Sequence, residues 1–492
     1  MGLTLLSVGL LVLVACSEEK DTQQQPAPTA TVAALPTSEP DPAGTQEPSE
    51  TPDPAKTLEP TRVPDPTATP RPTETPVPTP ATEATAVPEP TPAPTPVPVP
   101  SFVIGSGSAK LAASDSAQGK KFGTDVALYG DTIIAGSPAD FSKGTDSGAA
   151  VVFTKTGDVW TEQAKLVGGD TGEADLLGQV VALSSDTAVL GAPGDTPVGT
   201  GSGSAYAFVR SDGLWTEQGK LTASDAATGD QFGWSAAISG DTIIIGAPSD
   251  TPSGVNSGSA YVFTRTDGVW TEQAKLTPSG LAFDGMFGWS VAIDGDTAAV
   301  GALNDISNGI NSGAAYIFTR TDGVWTEQAK LSSGDGAPEH NFGRSVALSG
   351  DTLAVGESGN ADKGANTGAA YVFTRVDGAW AQQAKLSASD ASTADYFGWS
   401  VSIDTNAGGN TVAVGAFGDT ANGVDAGSAY VYKRVGTSWT EQSNLTATGA
   451  AINQKVGTSV SVSKDYLVAG APGDFQKGTD TGAAQVFTAQ IQ

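Results

Sequence analysis

From residue 109 to the C-terminus, polar and apolar positions alternate with a period of two in short runs separated by Gly-rich turns. No window keeps the 3.6-residue spacing of an amphipathic helix. In the stretch 287–331, Ser290 to Ile293 alternates large and small side chains. Gly295-Asp296 then reverses the chain, and Thr297 to Ala302 forms a second apolar run, the pattern of a tight hairpin. A polar loop, 303–312, leads into Gly313 to Thr319, and Asp322-Gly323 turns the chain again into Val324 to Leu331. The unit therefore predicts four antiparallel strands.

The chain writes this unit seven times. Its opening pair, an aromatic residue or Leu before Gly, recurs at Phe122, Leu177, Phe232, Phe287, Phe342 and Phe397 at intervals of 55 residues, and as Val456 after a further 59. A unit of this size cannot bury its apolar face alone, so the copies must stack. The prediction is an all-β fold, a seven-bladed β-propeller of four-stranded antiparallel blades. Its ends explain one another. The seventh copy stops after its third strand and lacks the outer segment that begins at Trp160, Trp215, Trp270, Trp325, Trp380 and Trp439. Ala109-Lys110-Leu111 is expected to supply that strand, with Gly105 in the place of the Trp, so that no sheet edge is left open.

The elements Phe232-Gly233, Gly240-Asp241-Thr242 and Gly246-Ala247-Pro248 resemble FG-GAP repeats, the blades of the integrin alpha-subunit propeller, in the shorter form of bacterial surface proteins. The resemblance covers 109–492 and implies a propeller that binds extracellular ligands. Integrin-type repeats often carry an Asp-rich calcium loop between the first two strands. Here that hairpin is only Ser239-Gly240-Asp241 or Asp294-Gly295-Asp296, so the family's calcium site does not carry over.

Ahead of the repeats, composition changes twice. Residues 1–16 form an apolar run ending in Leu13-Val14-Ala15-Cys16, similar to a bacterial lipoprotein signal, with 1–15 as the signal peptide and Cys16, the only cysteine, as the lipidated residue. Residues 16–100 hold 23 of the 31 prolines, between Pro26 and Pro100, among Thr, Ala and Glu. Such a segment buries too little apolar surface to fold and is expected to be a disordered stalk. The propeller is then the single domain 101–492. From Ser17 to Pro100 there are 13 acidic and 4 basic residues, which leaves 20 of the 29 net negative charges on the propeller. An acidic head disfavours nucleic acid and anionic lipid.

Candidate chemistry is sparse. His340 is the only histidine, which rules out a multi-histidine metal site, and its place, Asp230 or Asp395 in other repeats, reads as a solvated loop position. The long loops open on one face and repeat a polar pair six residues apart: Asp140 and Asp146, Asp250 and Asn256, Asp305 and Asn311, Asn360 and Asn366, Asp419 and Asp425, Asp474 and Asp480. The second repeat has Asp195 and Gly201. These are candidate Ca²⁺ ligands or, in the other reading, turn caps. A weaker acidic pattern joins Asp170 to Asp175, Asp225 to Asp230 and Asp390 to Asp395. Trp234, Trp289 and Trp399 share strand parity with the buried face and read as core, with sugar stacking as the alternative.

The expectation is a monomeric, non-catalytic binding or adhesion module, lipid-anchored on the extracellular side of a bacterial envelope, with a protein or polysaccharide ligand on the long-loop face. A carbohydrate-binding head is the first alternative. A glycan hydrolase would need the fifth repeat to converge Asp335, Glu339, His340, Arg344 and Glu357. A structural spacer is the last.

Overall fold

The computed structural model describes residues 100–103 and 108–491, apart from 281–282, 406–409, 448, 450 and 476–477. The apolar leader, Cys16 and the Pro/Thr-rich segment before Pro100 lie outside the described residues. Within them the chain forms seven antiparallel sheets arranged as seven blades and no helix. Blade four shows the plan: Phe287–Asp294, Thr297–Ala302, Ala314–Thr321 and Val324–Leu331 pair in chain order. The first strands of all seven blades line a central channel, and the fourth strands face solvent on alternate residues.

The core lies between blades and not inside them. Ile244, Ala260 and Val262 of blade three pack with Phe287, Val300 and Tyr316 of blade four in one cluster, and each further pair of neighbouring blades forms its own. A single blade would leave its central strands, buried along almost their whole length, in water.

Neighbouring blades also touch through backbone. The opening residue of each blade bridges in parallel to the Gly that starts the third strand of the blade before it, as Phe287 does to Gly258. Between blades three and four, a Cβ on Gly246 would lie 1.9 Å from the carbonyl oxygen of Gly288. One on Gly288, at φ +89°, would lie 2.2 Å from that of Ser259. No side chain fits either place. The repeated Gly-Ala-Pro and aromatic-Gly elements are thus the two halves of one junction.

The ring closes as the sequence implies, with one correction. Ala109–Leu111 pairs with Ala483–Ile491, placing Lys110 opposite Gln485, and Leu111 is buried with Phe122 of blade one and Val486 of blade seven. A second piece, Pro100–Val103, pairs with the outer half of the same strand. Its Phe102 stands opposite Ala489, the register position that a Trp holds in other blades, as Trp439 does opposite Arg434. A count of 55 residues pointed to Gly105. It fails because the closing strand is split in two, which shifts the outer register. Phe122 then bridges Gly482 and seals blade one to blade seven.

Gly288→Ala should destabilise the protein by about 3 kcal/mol or more in denaturant unfolding, because backbone must move apart at a junction. Gly295→Ala, at φ +56° with nothing within 4 Å of the added methyl, should cost only about 1 to 2 kcal/mol.

Candidate functional site

The loops between second and third strands and the loops between blades open on the same face, where each blade builds a buried polar cluster. In blade three, the Tyr261 hydroxyl donates to Asp250 and Asp225, both at 2.8 Å. Lys275 meets the same two carboxylates at 2.6 Å and lies over the tyrosine ring. Tyr206, Asp170, Asp195 and Lys220 repeat this in blade two, and Tyr316, Asp305 and Lys330 in blade four. Blade one has no such tyrosine, and Asp140 instead meets Lys120 and Lys165. Burial opposes its ionisation, but the Lys165, Ser142 and Lys120 hydrogen bonds outweigh it and hold the carboxyl at about 2. Desolvation, with the adjacent carboxylates, pushes the Tyr206 and Tyr261 hydroxyls far above their ordinary range, so they remain donors.

These clusters hold the first members of the repeated polar pairs. Asp140, Asp305 and Asp419 also accept backbone N–H groups two residues on, from Ser142, Ser307 and Ala421, and so cap their loops. Asp474 pairs with Lys110 at 2.5 Å and accepts from Gln454. The second members do something else. Asp146, Asn256, Asn311, Asn366, Asp425 and Asp480 all have φ between +50° and +55°, the left-handed region that Asn, Asp and Gly tolerate best, and Gly201 takes that place in blade two. Their carbonyls accept from the next interblade loop, as Asn256 does from Met286 at 3.0 Å. The six-residue spacing thus records a cap followed by a left-handed turn. Among the described residues no three acidic, His or Cys groups are placed to hold a metal ion.

The second acidic pattern caps the interblade loops: Asp175, Asp230 and Asp395 accept from the backbone of Gly172, Ala227 and Ser392. Burial raises all three, and the nearby lysine counters it for Asp175 and Asp230. Blade six has Asn444 where other blades have that lysine, bonded to Asp390. Asp395, 2 % exposed, is pushed up to about 6 by desolvation, with Asp419 and Asp390 adding to it, and its Oδ1 has no hydrogen-bond partner.

Blade five departs most and compensates. Glu357, fully buried where other blades have a small residue, accepts from Tyr371 and Asn360 at 2.8 Å and from Ser333 at 2.5 Å. Here the carboxylate has moved from position 360 to 357 and an amide has taken its old place, so the tyrosine keeps its acceptor. Asp335 joins through Tyr371 and Lys385. His340 is 8 % exposed, with Nδ1 3.5 Å from Glu357, which corrects the expectation of a solvated loop position: the interblade loop folds down over Glu357. Glu339 goes elsewhere, to Asn311, and Arg344 points into the channel. The five residues of the hydrolase alternative do not converge.

Trp234, Trp289 and Trp399 also overturn their expectation. They are not core but half-buried at the channel mouth on the long-loop face, around a cavity of about 390 Å³. Strand parity failed because the ladder is interrupted: Phe287 pairs with Ala302 and the next rung is Ser290 with Gly301, so Trp289 swings out of the alternation. Trp234 and Trp289 lie 4.8 Å apart, and the Arg344 guanidinium sits 4.9 Å from the Trp289 ring centre and 3.5 Å from that of Trp399. Across the mouth, Asp125 accepts from Val181 N at 2.7 Å and Ser459 Oγ at 2.5 Å, tying blades seven, one and two.

An FG-GAP repeat model matches seven segments, 106–153, 160–208, 215–263, 270–318, 325–373, 380–432 and 439–487, well over half of the chain. The chain is an FG-GAP repeat protein. No curated protein matches it. FG-GAP propellers are commonly binding or adhesion modules. In this FG-GAP propeller the outer-strand motif is structural throughout. Trp270 Nε1 donates to Gln218 of the preceding blade, Glu272 accepts from Ser224 of the interblade loop, and Arg265 pairs with Asp241 while lying over Trp270.

Calcium binding by the loop pairs is a proposal against which the lysine partners weigh: at Asp140, Asp195, Asp250, Asp305 and Asp474 a metal would have to displace a lysine. We expect the melting temperature to be the same in millimolar Ca²⁺ and in chelator; a calcium-dependent rise would restore the metal reading. For Asp395, a folded value of about 6 against an ordinary 3.8 means that the folded protein holds the extra proton. That stabilisation is complete below the unfolded value and is lost as pH rises through 6. Asp395→Asn should therefore stabilise the protein by up to about 3 kcal/mol at pH 7.5 and by little near pH 4, measured by unfolding at both.

Proposed function

We propose that this FG-GAP propeller is a cell-surface binding or adhesion module without catalytic activity, lipid-anchored through Cys16 on the extracellular side of a bacterial envelope. It would hold its long-loop face to an extracellular protein or polysaccharide. The observation that carries the reading is the composition of that face: its loops present Phe141, Val198, Phe283, Ile306, Ile310 and Val424, each more than half exposed, on an otherwise rigid ring. The opposite face carries shorter turns, mostly of two residues with 405–410 the longest, an exposed Val or Leu beside each outer hairpin, as at Val269, and Tyr129 at the first hairpin of blade one. The buried carboxylates of blade five weigh against a hydrolase, because a general acid needs access to its substrate. Anchoring and stalk rest on the lipoprotein-like leader and the Pro/Thr-rich composition of 16–100.

Two experiments test this reading. Cys16→Ser should move the protein from membranes to the medium, and retention would sink the anchor. The triple variant Phe141→Ser, Phe283→Ser, Ile310→Ser should reduce adhesion of expressing cells to immobilised matrix protein and polysaccharide by about tenfold with an unchanged melting temperature, since each lost apolar anchor costs about 1 kcal/mol or more. Undiminished adhesion would exclude the long-loop face.

A further inference from the structure

We propose that the channel mouth binds a single carboxylate-bearing sugar ring, the acidic end of a saccharide, with Arg344, held between Trp289 and Trp399, taking the carboxylate and the indole arc with Trp234 lining the ring. This rests on the reading of the long-loop face as the interaction face and narrows it to one ligand class.

Arg344 carries the argument. Acidic residues outnumber basic ones 54 to 25 in this chain, and the comparable arginines find acceptors: Arg210, Arg320 and Arg375 each meet an Asp within 2.7 Å, and Arg434 donates to the Gly436 carbonyl. Arg344 has no carboxylate partner among the described residues, and its Nε is sealed from solvent without a hydrogen bond. Desolvation lowers its pKa from the ordinary arginine range to about 10, which leaves it charged at neutral pH. A guanidinium held between indole faces keeps its N–H edge for a planar two-oxygen acceptor, and a carboxylate fits that fork.

The tryptophans complete the site. The outer Trp270, Trp325 and Trp380 spend their Nε1 on glutamines of the preceding blade, and their role is structural. The indole N–H groups of Trp234, Trp289 and Trp399 have no hydrogen-bond partner among the described residues, and the three rings form with Arg344 a continuous arc across blades three to six. Aromatic faces take the apolar side of a ring while N–H groups take its oxygens. The opposite arc offers Thr124, Gln179 and Thr458, hydrogen-bonding groups suited to sugar hydroxyls. Asp125, on the same wall, is already engaged by Val181 and Ser459 and faces no ion-pair partner. A cavity of about 390 Å³ holds one or two rings. One cation within an acidic head selects a single carboxylate over a polyanion, which the surrounding charge repels.

The test titrates the full chain with methyl glucuronide and with methyl glucoside, which differ only in the carboxylate, by calorimetry and by tryptophan fluorescence. Glucuronide should bind at least about tenfold more tightly. Arg344→Gln should bring the two sugars to parity, and Trp289→Ala should weaken both. A melting temperature for each variant guards against misfolding, and Trp234→Ala, which leaves the guanidinium sandwich in place, should also weaken both sugars. Equal binding of the two sugars, binding of neither, or full glucuronide affinity in Arg344→Gln overturns the proposal. Preferential binding of benzoate over glucuronide would overturn the sugar in favour of an aromatic acid. The wider face is read separately by cell adhesion: an unaltered protein that adheres but binds neither sugar refutes this site alone.

Discussion

Every blade junction depends on backbone meeting backbone where no Cβ can stand. With Gly246 1.9 Å and Gly288 2.2 Å, by their absent side chains, from carbonyls across the junction, adjacent sheets approach more closely than any other residue allows. That approach sets the wedge angle of the ring and lets Phe287 bury itself against Val262 and Val300. Polar contacts then fix the same interface from outside. The Arg320 guanidinium reaches Thr242 of the preceding blade, and Trp325 reaches Gln273. Seven such wedges must together close a full turn, and a repeated junction meets that requirement at each step.

That requirement made the fold legible in sequence. Turn residues, apolar runs and the displaced outer strand each had one consistent interpretation, and seven copies averaged out local ambiguity. The polar pairs were legible only by half. Asp305 as a cap followed from residue type, whereas the conserved geometry behind Asn311 is a positive φ that no side-chain pattern announces except through the Gly201 exception. The channel mouth was misread for a definite reason. Alternation assigns a face only while the ladder is continuous, and at Phe287 to Ser290 it is not. The tell in the sequence was variation: Thr124, Gln179, Trp234, Trp289, Arg344, Trp399 and Thr458 occupy one position of the repeat with four kinds of side chain, while the position before it is Gly in all seven.

Blade five shows how such a fold absorbs change. Moving a buried carboxylate from position 360 to 357 would orphan Tyr371, but the accompanying Asn360 and the arrival of Ser333 and His340 around Glu357 leave the cluster nearly satisfied. Blade six made a different exchange, Asn444 for lysine, and kept an unrelieved acid at Asp395. The buried clusters thus change in linked sets in blade five and at a residual cost in blade six, while the axial position holds Thr, Gln, Trp or Arg.

The split closing strand has a mechanical meaning. Pro100–Val103 and Ala109–Leu111 seal blade seven, and they are continuous with the segment that precedes the propeller. Any tension along that segment is carried by the rungs from Pro100 to Val103 before it can reach Leu111 and the core. The outer piece can act as a sacrificial coupling. It would yield under force and let out slack, while the inner piece, with its buried Leu111, keeps the circle shut.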